Sequence, residues 1–143
     1  MADDYRHPFR AAVEAQDLDA VARLLSEDVV FRSPVVYKPY RGRAAVHALL
    51  AAVSRVFEDF TYDREIGAPG ARDHAVVFRA RVGDREVEGC DFLHTDDDGL
   101  IDEFFVMVRP LSGALALAEA MQAELAAQAS SAASGTAASA LSQ

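Results

Sequence analysis

The sequence has one cysteine, few basic residues and no long apolar run. Cys90 cannot form an internal disulfide, and a free thiol inside a strand is most often a small buried hydrophobe, which suits a reducing compartment. Lys and Arg number 14 against 23 Asp and Glu, a net charge of -9, which argues against a surface for nucleic acid or an anionic membrane. No apolar run approaches the ~20 residues of a membrane span, and the acidic start MADDYRHPF is unlike a signal peptide. We therefore expect a cytoplasmic protein without nucleic-acid or membrane partners.

The sequence also has no recognisable metal motif. His7, His74 and His94 lack metal-ligand spacing relative to one another or to Cys90. The acidic turn DDDG lacks the alternating ligands and the distal Glu of a calcium loop. We therefore expect neither a metal nor a cofactor.

The first half of the chain shows helical periodicity around one strand. Asp3 or Asp4 can cap a first helix that carries Phe9, and Asp17 can cap a second, short helix. The β-branched and aromatic segment VVFRSP predicts a strand. Past Gly42, the segment RAAVHALLAAVSRVFEDF repeats its apolar residues at three-and-four spacing, which predicts the longest helix.

The second half has the pattern of strands, then of a helix with a tail. FTYDREI, HAVVFRARV, EVEGCDFLHT and LIDEFFVMVRP are separated by turn residues. Because helices come first and strands follow, we predict an α+β fold with helices on one face of an antiparallel sheet. We assign residues 1–112 to this domain, 113–128 to a loosely docked helix and the low-complexity residues 129–143 to a mobile tail. The helix has a partial apolar stripe of Leu111, Leu115, Ala118 and Leu125.

Two hairpin turns predict which residues share a face of the sheet. A two-residue turn at Gly83-Asp84 pairs Val76 with Asp91, and a four-residue turn at DDDG pairs Asp91 with Phe104. Both registers place Asp91 on the apolar face. An acid in that environment is costly to ionise, so Asp91 is the strongest candidate for a functional carboxyl. The alternatives are a hydrogen-bonded structural Asp and a register slip that turns it to solvent.

The same registers place apolar side chains on the outer face, where an antiparallel sheet usually carries polar ones. Phe105 and Met107 fall there beside Val77, Cys90 and Phe92. Either the C-terminal helix covers this surface or a second subunit packs on it, sheet to sheet, as a symmetric dimer. We favour the homodimer.

Three segments occur in a characteristic order over roughly residues 5 to 110. They are AQDLDAVARLLSEDVVF, the Pro-Val pair followed by KPYRGRAAV, and DFLHTDDDGLIDEFFVMVRP. Their order and spacing resemble the nuclear transport factor 2-like superfamily, especially its SnoaL-like and ketosteroid isomerase-like branch. The resemblance implies a cone-shaped, cystatin-like fold: a curved antiparallel sheet wrapped around N-terminal helices and one long helix. It also implies a pocket inside the cone and frequent dimers across the sheet.

The resemblance allows a test against the ketosteroid isomerases, which use an Asp base together with a Tyr and a protonated Asp that stabilise the oxyanion. The position of the base, before Pro34, holds Ser33, and the position of the helix Tyr holds Phe9. Asp91, which precedes Gly99 as in that family, matches the second acid. A general base contributes roughly 10² to 10⁴ in rate, so the resemblance does not carry steroid isomerisation over to this chain.

Other chemistries on this fold use pocket Asp, His, Tyr or Arg in other combinations, and the tyrosines here could supply phenolic donors. Ser33 as a nucleophile would need an adjacent base, and none is visible, so a hydrogen-bonding role at the strand end is the simpler reading. The residues expected to bind a ligand around Asp91 are Phe9, Phe31, Ser33, Tyr37, Tyr40, Phe57, Tyr62, Phe78 and Phe104.

These residues lead to two functional hypotheses. The first is a small-molecule pocket protein of SnoaL-like type: an isomerase, cyclase or hydrolase that acts on an apolar ring metabolite, with Asp91 as the main polar group. The second is a non-catalytic ligand-binding or dimerisation module on the same fold. A cavity of ~300 Å³ or more with Asp91 on its wall would favour the first.

Overall fold

Four helices and six strands make up the part of the chain, residues 5–141, that the computed structural model describes. The helices are α1 (Pro8–Glu14), α2 (Leu18–Leu24), α3 (Arg43–Val56) and α4 (Leu111–Leu141). The strands are β1 (Leu25–Arg32), β2 (Tyr40–Arg41), β3 (Glu58–Ile66), β4 (Asp73–Val82), β5 (Arg85–Thr95) and β6 (Ile101–Arg109). Within residues 5–141, no helix is long and apolar enough to cross a membrane.

The α+β class is confirmed, and one strand pairing departs from the predicted antiparallel sheet. The six strands form one sheet in the order β2-β1-β6-β5-β4-β3. Strand β1 pairs with β6 in parallel, with Phe31 opposite Phe104, whereas the other pairings are antiparallel. Parallel pairing requires a long connection between the two strands, and here α3 and four intervening strands supply it.

The register of the first hairpin is confirmed and that of the second is shifted. Val76 pairs with Asp91 as predicted. On the other side of β5, Asp91 lies opposite Val106 instead of Phe104. The turn is one residue longer than predicted, and the pairing shifts by one more residue between the last two residues of β5. At Asp91 the shift amounts to two residues, which preserves the face of this side chain. Asp91 therefore remains on the buried face of the sheet.

The capping residue predicted for α1 is wrong, and that predicted for α2 is confirmed. Asp3 and Asp4 lie outside the described residues. Helix α1 begins after His7, whose Nδ1 accepts a hydrogen bond from the backbone N–H of Phe9 at 3.0 Å. Asp17 caps α2, since its Oδ1 accepts a hydrogen bond from the backbone N–H of Ala20 at 3.0 Å.

Helix α4 is longer than predicted. It extends beyond the expected bounds 113–128 at both ends, so residue 128 is not a helix end. Residues 142 and 143 lie outside the described part of the chain. The mobility expected of residues 129–143 stays a prediction.

Helix α4 packs against the buried face of the sheet through a stripe that overlaps the predicted one only in part, since Leu125 of the predicted stripe packs against the core. It contacts α3 and strands β4, β5 and β6. Leu117 and Met121 are buried, whereas Leu111 and Leu115 of the predicted stripe are exposed. Helix α4 consists largely of alanine and other small residues, so the sequence does not define its apolar face clearly. Helix α4 is therefore docked on the sheet, and how loosely it is docked stays a prediction.

The outer face of the sheet carries the apolar side chains that the hairpin registers predicted. Phe92 and Met107 are 40% and 52% exposed, and the ring of Phe92 lies 5.9 Å from that of Phe105, centroid to centroid. Because α4 packs on the opposite face, it does not cover these residues. The alternative in which the C-terminal helix shields the outer face is therefore wrong.

Candidate functional site

A cavity of about 1080 Å³ lies between the four helices and the buried face of the sheet. Its wall is mostly apolar and rich in aromatic rings. Phe104 lies at its base, with ring centroids 5.0 Å from Phe9 and 5.2 Å from Phe31. Eight of the nine predicted ligand-binding residues line it together with Asp91: Phe9, Phe31, Ser33, Tyr40, Phe57, Tyr62, Phe78 and Phe104.

The prediction is wrong for the ninth residue, Tyr37, because its side chain is fully exposed and is not part of the cavity wall. The hydroxyl of Ser33 accepts hydrogen bonds from the backbone N–H groups of Val35 at 3.1 Å and Val36 at 3.2 Å. This turn brings Val35 and Val36 to the cavity. Ser33 therefore has the hydrogen-bonding role at the strand end that the sequence favoured over that of a nucleophile.

Asp91 and Tyr62 form a buried hydrogen-bonded pair on the cavity wall. The Tyr62 hydroxyl donates to Oδ2 of Asp91 at 2.9 Å, and each residue is 6% exposed. The two residues lie on β5 and β3, with β4 between them. Gly89 allows this arrangement, because a Cβ at this position would lie 2.3 Å from Cζ of Phe78, the residue that pairs with Tyr62.

The environment of this pair raises the pKa of both residues. Burial raises the pKa of Asp91 from 3.8 to about 7, although the hydrogen bond from Tyr62 acts in the opposite direction. Burial also raises the pKa of Tyr62 well above its usual range, and the neighbouring Asp91 adds to this effect. Tyr62 is therefore a permanent donor at neutral pH, whereas Asp91 gains or loses its proton there.

Sequence reasoning missed the contribution of α4 to the cavity. Leu117, Met121 and Leu125 line it, at a spacing of four residues that places them on one side of the helix. This spacing is present in the sequence and could have identified α4 as part of the cavity wall. The Tyr62–Asp91 contact has no comparable signal, because it spans three strands.

The polar residues of the cavity offer hydrogen bonds and carboxylates. Glu14, Asp17 and Asp59 line it in addition to Asp91. Within residues 5–141, no three His, Cys, Asp or Glu side chains converge in a way that could hold a metal ion. The Asp91–Tyr62 pair can supply hydrogen bonds and a proton to a molecule in the cavity.

Comparisons with known proteins agree with this architecture. Residues 7–104 match the SnoaL-like domain family. The crystal structure of a steroid delta-isomerase from Pseudomonas aeruginosa is 44% identical with a TM-score of 0.81, over 85% of this chain and 89% of that one. A cystatin-like protein from Silicibacter pomeroyi is 34% identical with a TM-score of 0.81, over 90% of this chain and 93% of that one.

More distant structures share the fold. A nuclear transport factor 2-like protein from Burkholderia xenovorans is 21% identical with a TM-score of 0.59, over 80% of this chain and 90% of that one. No curated protein sequence matches the chain. The family match covers well over half of the chain, and the two structures above 30% identity cover most of it. The resemblance expected from the sequence is confirmed: the chain belongs to the SnoaL-like family and has the nuclear transport factor 2-like fold.

Proposed function

We propose that the cavity binds an apolar ring compound that carries a carbonyl or similar oxygen, and that Asp91 and Tyr62 hold this oxygen. One observation carries the proposal: a carboxyl and a phenol, hydrogen-bonded at 2.9 Å, are buried on the wall of an otherwise mostly apolar cavity. Burial of a carboxyl among apolar side chains costs free energy, so its position is more easily understood as a contact for a ligand than as packing.

The size and lining of the cavity support a ligand of several fused rings. Ligand cavities typically measure about 300 to 1,000 Å³ and combine apolar walls with a few convergent polar groups. The cavity here, about 1080 Å³, lies just above the upper end of that range. A module without a ligand would instead be expected to fill this space with side chains.

The pair can hold an oxygen without a second base. When Asp91 is protonated, its hydroxyl can donate to the ligand oxygen while its other oxygen accepts the hydrogen bond from Tyr62. The two donors then act in series, from Tyr62 to Asp91 to the ligand. A neutral carboxyl in an apolar cavity is suited to this role, because it donates a hydrogen bond without a net charge. Ser33, which stands where the ketosteroid isomerases have their base, does not affect this role of Asp91.

A second candidate function is isomerase-type proton transfer, which the pKa of about 7 for Asp91 favours. A general acid or base works best when its pKa is close to the operating pH. The Asp91 carboxylate would remove a proton from a carbon next to the ligand carbonyl, and the electron pair would move to the oxygen as an enolate. Asp91, now protonated, would return the proton to another carbon. Tyr62, released from the carboxylate, could donate to the enolate. A 44% identical protein is a steroid delta-isomerase, which also supports this reaction class.

Calorimetric titration with progesterone, a neutral steroid ketone, tests the binding proposal. We expect Asp91→Leu to weaken binding by roughly tenfold or more and Tyr62→Phe by a smaller factor, since each loses one buried hydrogen bond. Tyr37→Phe is the matched control and should bind like the wild type, because Tyr37 is exposed outside the cavity. Unchanged affinity in Asp91→Leu would refute the proposed site.

Deuterium uptake separates binding from proton transfer. In D₂O, a proton-transferring protein should introduce deuterium at the carbons beside the progesterone carbonyl, as read by mass spectrometry, and Asp91→Asn should lose this activity. Tight binding with no uptake above the protein-free rate would leave binding as the function and contradict the isomerase-type reaction.

The assembly and location of the protein are part of the proposal. We propose a cytoplasmic homodimer joined through the outer face of the sheet. Exposed Phe92 and Met107 support this interface, because large apolar side chains on a sheet face are typical of surfaces that another protein covers.

A further inference from the structure

Arg10, on α1, lies over the ring of Tyr62. Its guanidinium carbon is 5.9 Å from the ring centroid, which is within the range of a cation–π interaction. The side chain is 12% exposed and does not line the cavity. Arg10 therefore adjoins the Asp91–Tyr62 pair from outside the space that a ligand would occupy.

Two carboxylates hold Arg10 in this position. Its Nε lies 3.4 Å from Oε1 of Glu14, and its Nη1 lies 3.7 Å from Oε1 of Glu65. Glu65 is itself fixed, because both of its carboxylate oxygens accept from the backbone N–H of His7 at 3.1 Å. Nδ1 of His74 lies a further 3.8 Å from Oε2 of Glu65. The start of α1 and the edge strand β3 thus share one buried charged cluster.

The position of the Arg10 side chain is not explained by hydrogen bonding alone. Among the described residues, the buried Nε of Arg10 has no hydrogen-bond partner, although it is close to Glu14. An unsatisfied buried donor costs free energy. What the arrangement does provide is a fixed positive charge against the face of an aromatic ring whose hydroxyl is bonded to Asp91.

We propose that Arg10 is a positioning residue that acts through Tyr62, strengthening the Tyr62 hydroxyl as a hydrogen-bond donor to Asp91. A positive charge near a phenol stabilises the developing phenolate, which makes the O–H group more acidic and a better donor. The charge of Arg10 opposes the stronger effect of burial, which raises the pKa of Tyr62. The inference concerns the site of the proposed function, but it holds for the pair with no ligand bound.

The test is a carbon-detected NMR titration of the Asp91 carboxyl in the ligand-free protein. A weaker Tyr62 donor stabilises the carboxylate less, so Arg10→Met should raise the pKa of Asp91 by about half a unit. Arg10→Lys, which keeps the charge, should produce less than half of that shift. Circular dichroism checks that each variant is folded, and Arg10→Gln carries the same prediction as Arg10→Met if that variant does not fold.

A double-mutant cycle shows whether the effect passes through Tyr62. In a Tyr62→Phe background, Arg10→Met should shift the pKa of Asp91 by less than half as much as in the wild type. Arg55→Met is the matched control. Arg55 is half-exposed and pairs with Glu124, so its loss should leave the pKa of Asp91 unchanged.

Three results would overturn the proposal: no shift in Arg10→Met, an equal shift in the Tyr62→Phe background, or an equal shift in Arg10→Lys. The second would mean that Arg10 acts on Asp91 directly. Because no ligand is present, failure of the binding proposal leaves this titration unaffected, and the two can be refuted separately.

Discussion

The Asp91 carboxyl should make the folded protein less stable as the pH rises. In the unfolded chain the pKa of this group is near 3.8, and in the folded protein it is about 7. Between these values the folded state keeps a proton that the unfolded state has lost. The contribution to stability is therefore fully present below about pH 4 and is lost as the pH rises through about 7. A shift of about 3 pKa units at about 1.4 kcal/mol each gives a loss of roughly 4 kcal/mol.

Replacement of Asp91 by asparagine removes this titration and keeps the shape. The Asn oxygen can accept the hydrogen bond from Tyr62, so the free energies of unfolding of the variant and the wild type should agree within about 1 kcal/mol near pH 4. At pH 9 the variant should be the more stable protein, by up to roughly 4 kcal/mol. Urea denaturation between these pH values, followed by circular dichroism, measures the difference.

The comparison of wild type and variant cancels the titration of all other groups. Asp84→Asn serves as the control, because Asp84 is exposed in the turn between β4 and β5. Its effect should be small, within about 0.5 kcal/mol, and independent of pH. If the difference for Asp91→Asn were independent of pH, or if the wild type gained stability relative to the variant on raising the pH, the reasoning would be refuted.

Three further predictions follow from the packing. Met107→Glu should convert a dimer into a monomer, because it places a charge in the proposed interface. Light scattering that finds the wild type monomeric at micromolar concentration would contradict this interface. Truncation after Gln128 should shift the melting temperature by no more than a few degrees, since Leu117 and Met121, which pack in the core, precede the cut. A larger fall would show that the removed residues dock. Gly89→Ala should lower the free energy of unfolding by about 1 to 3 kcal/mol, because the new Cβ would lie 2.3 Å from Cζ of Phe78; a neutral effect on urea denaturation would contradict this close contact.

The orientation of Asp91 could be predicted because sheet faces alternate with a period of two. The β4–β5 turn gives the observed register, and the β5–β6 pairing is shifted by two residues. Such a shift changes the neighbour of Asp91 from Phe104 to Val106 and leaves its face unchanged. A shift of one residue would have turned Asp91 to solvent.

The partner of Asp91 could not be predicted. Strand β3 joins β4 through the long segment GAPGARD, which fixes no register, and their pairing shifts at two places. The position of Tyr62 relative to Asp91 depends on these irregularities and on the space left by Gly89. These are tertiary features without a local sequence signal.

The other departures from prediction also arise from long-range or very local effects. The parallel pairing of β1 with β6 brings together strands far apart in sequence. Tyr37 is exposed and follows a short turn that the Ser33 hydroxyl organises, a feature that composition alone does not reveal. In α4, many alanines make several helix faces equally plausible, so the predicted stripe matches the buried face only at Ala118 and Leu125.

An apolar cavity keeps the Asp91 carboxyl protonated well above its usual pH range. Carbon-detected NMR titration of the Asp91 side chain in the wild-type protein tests this most directly. The structure predicts a midpoint of about 7, and a still higher value in Tyr62→Phe, because the hydrogen bond from Tyr62 lowers the pKa. A midpoint at or below 3.8 in the wild-type protein would contradict the burial of this carboxyl and the site built around it.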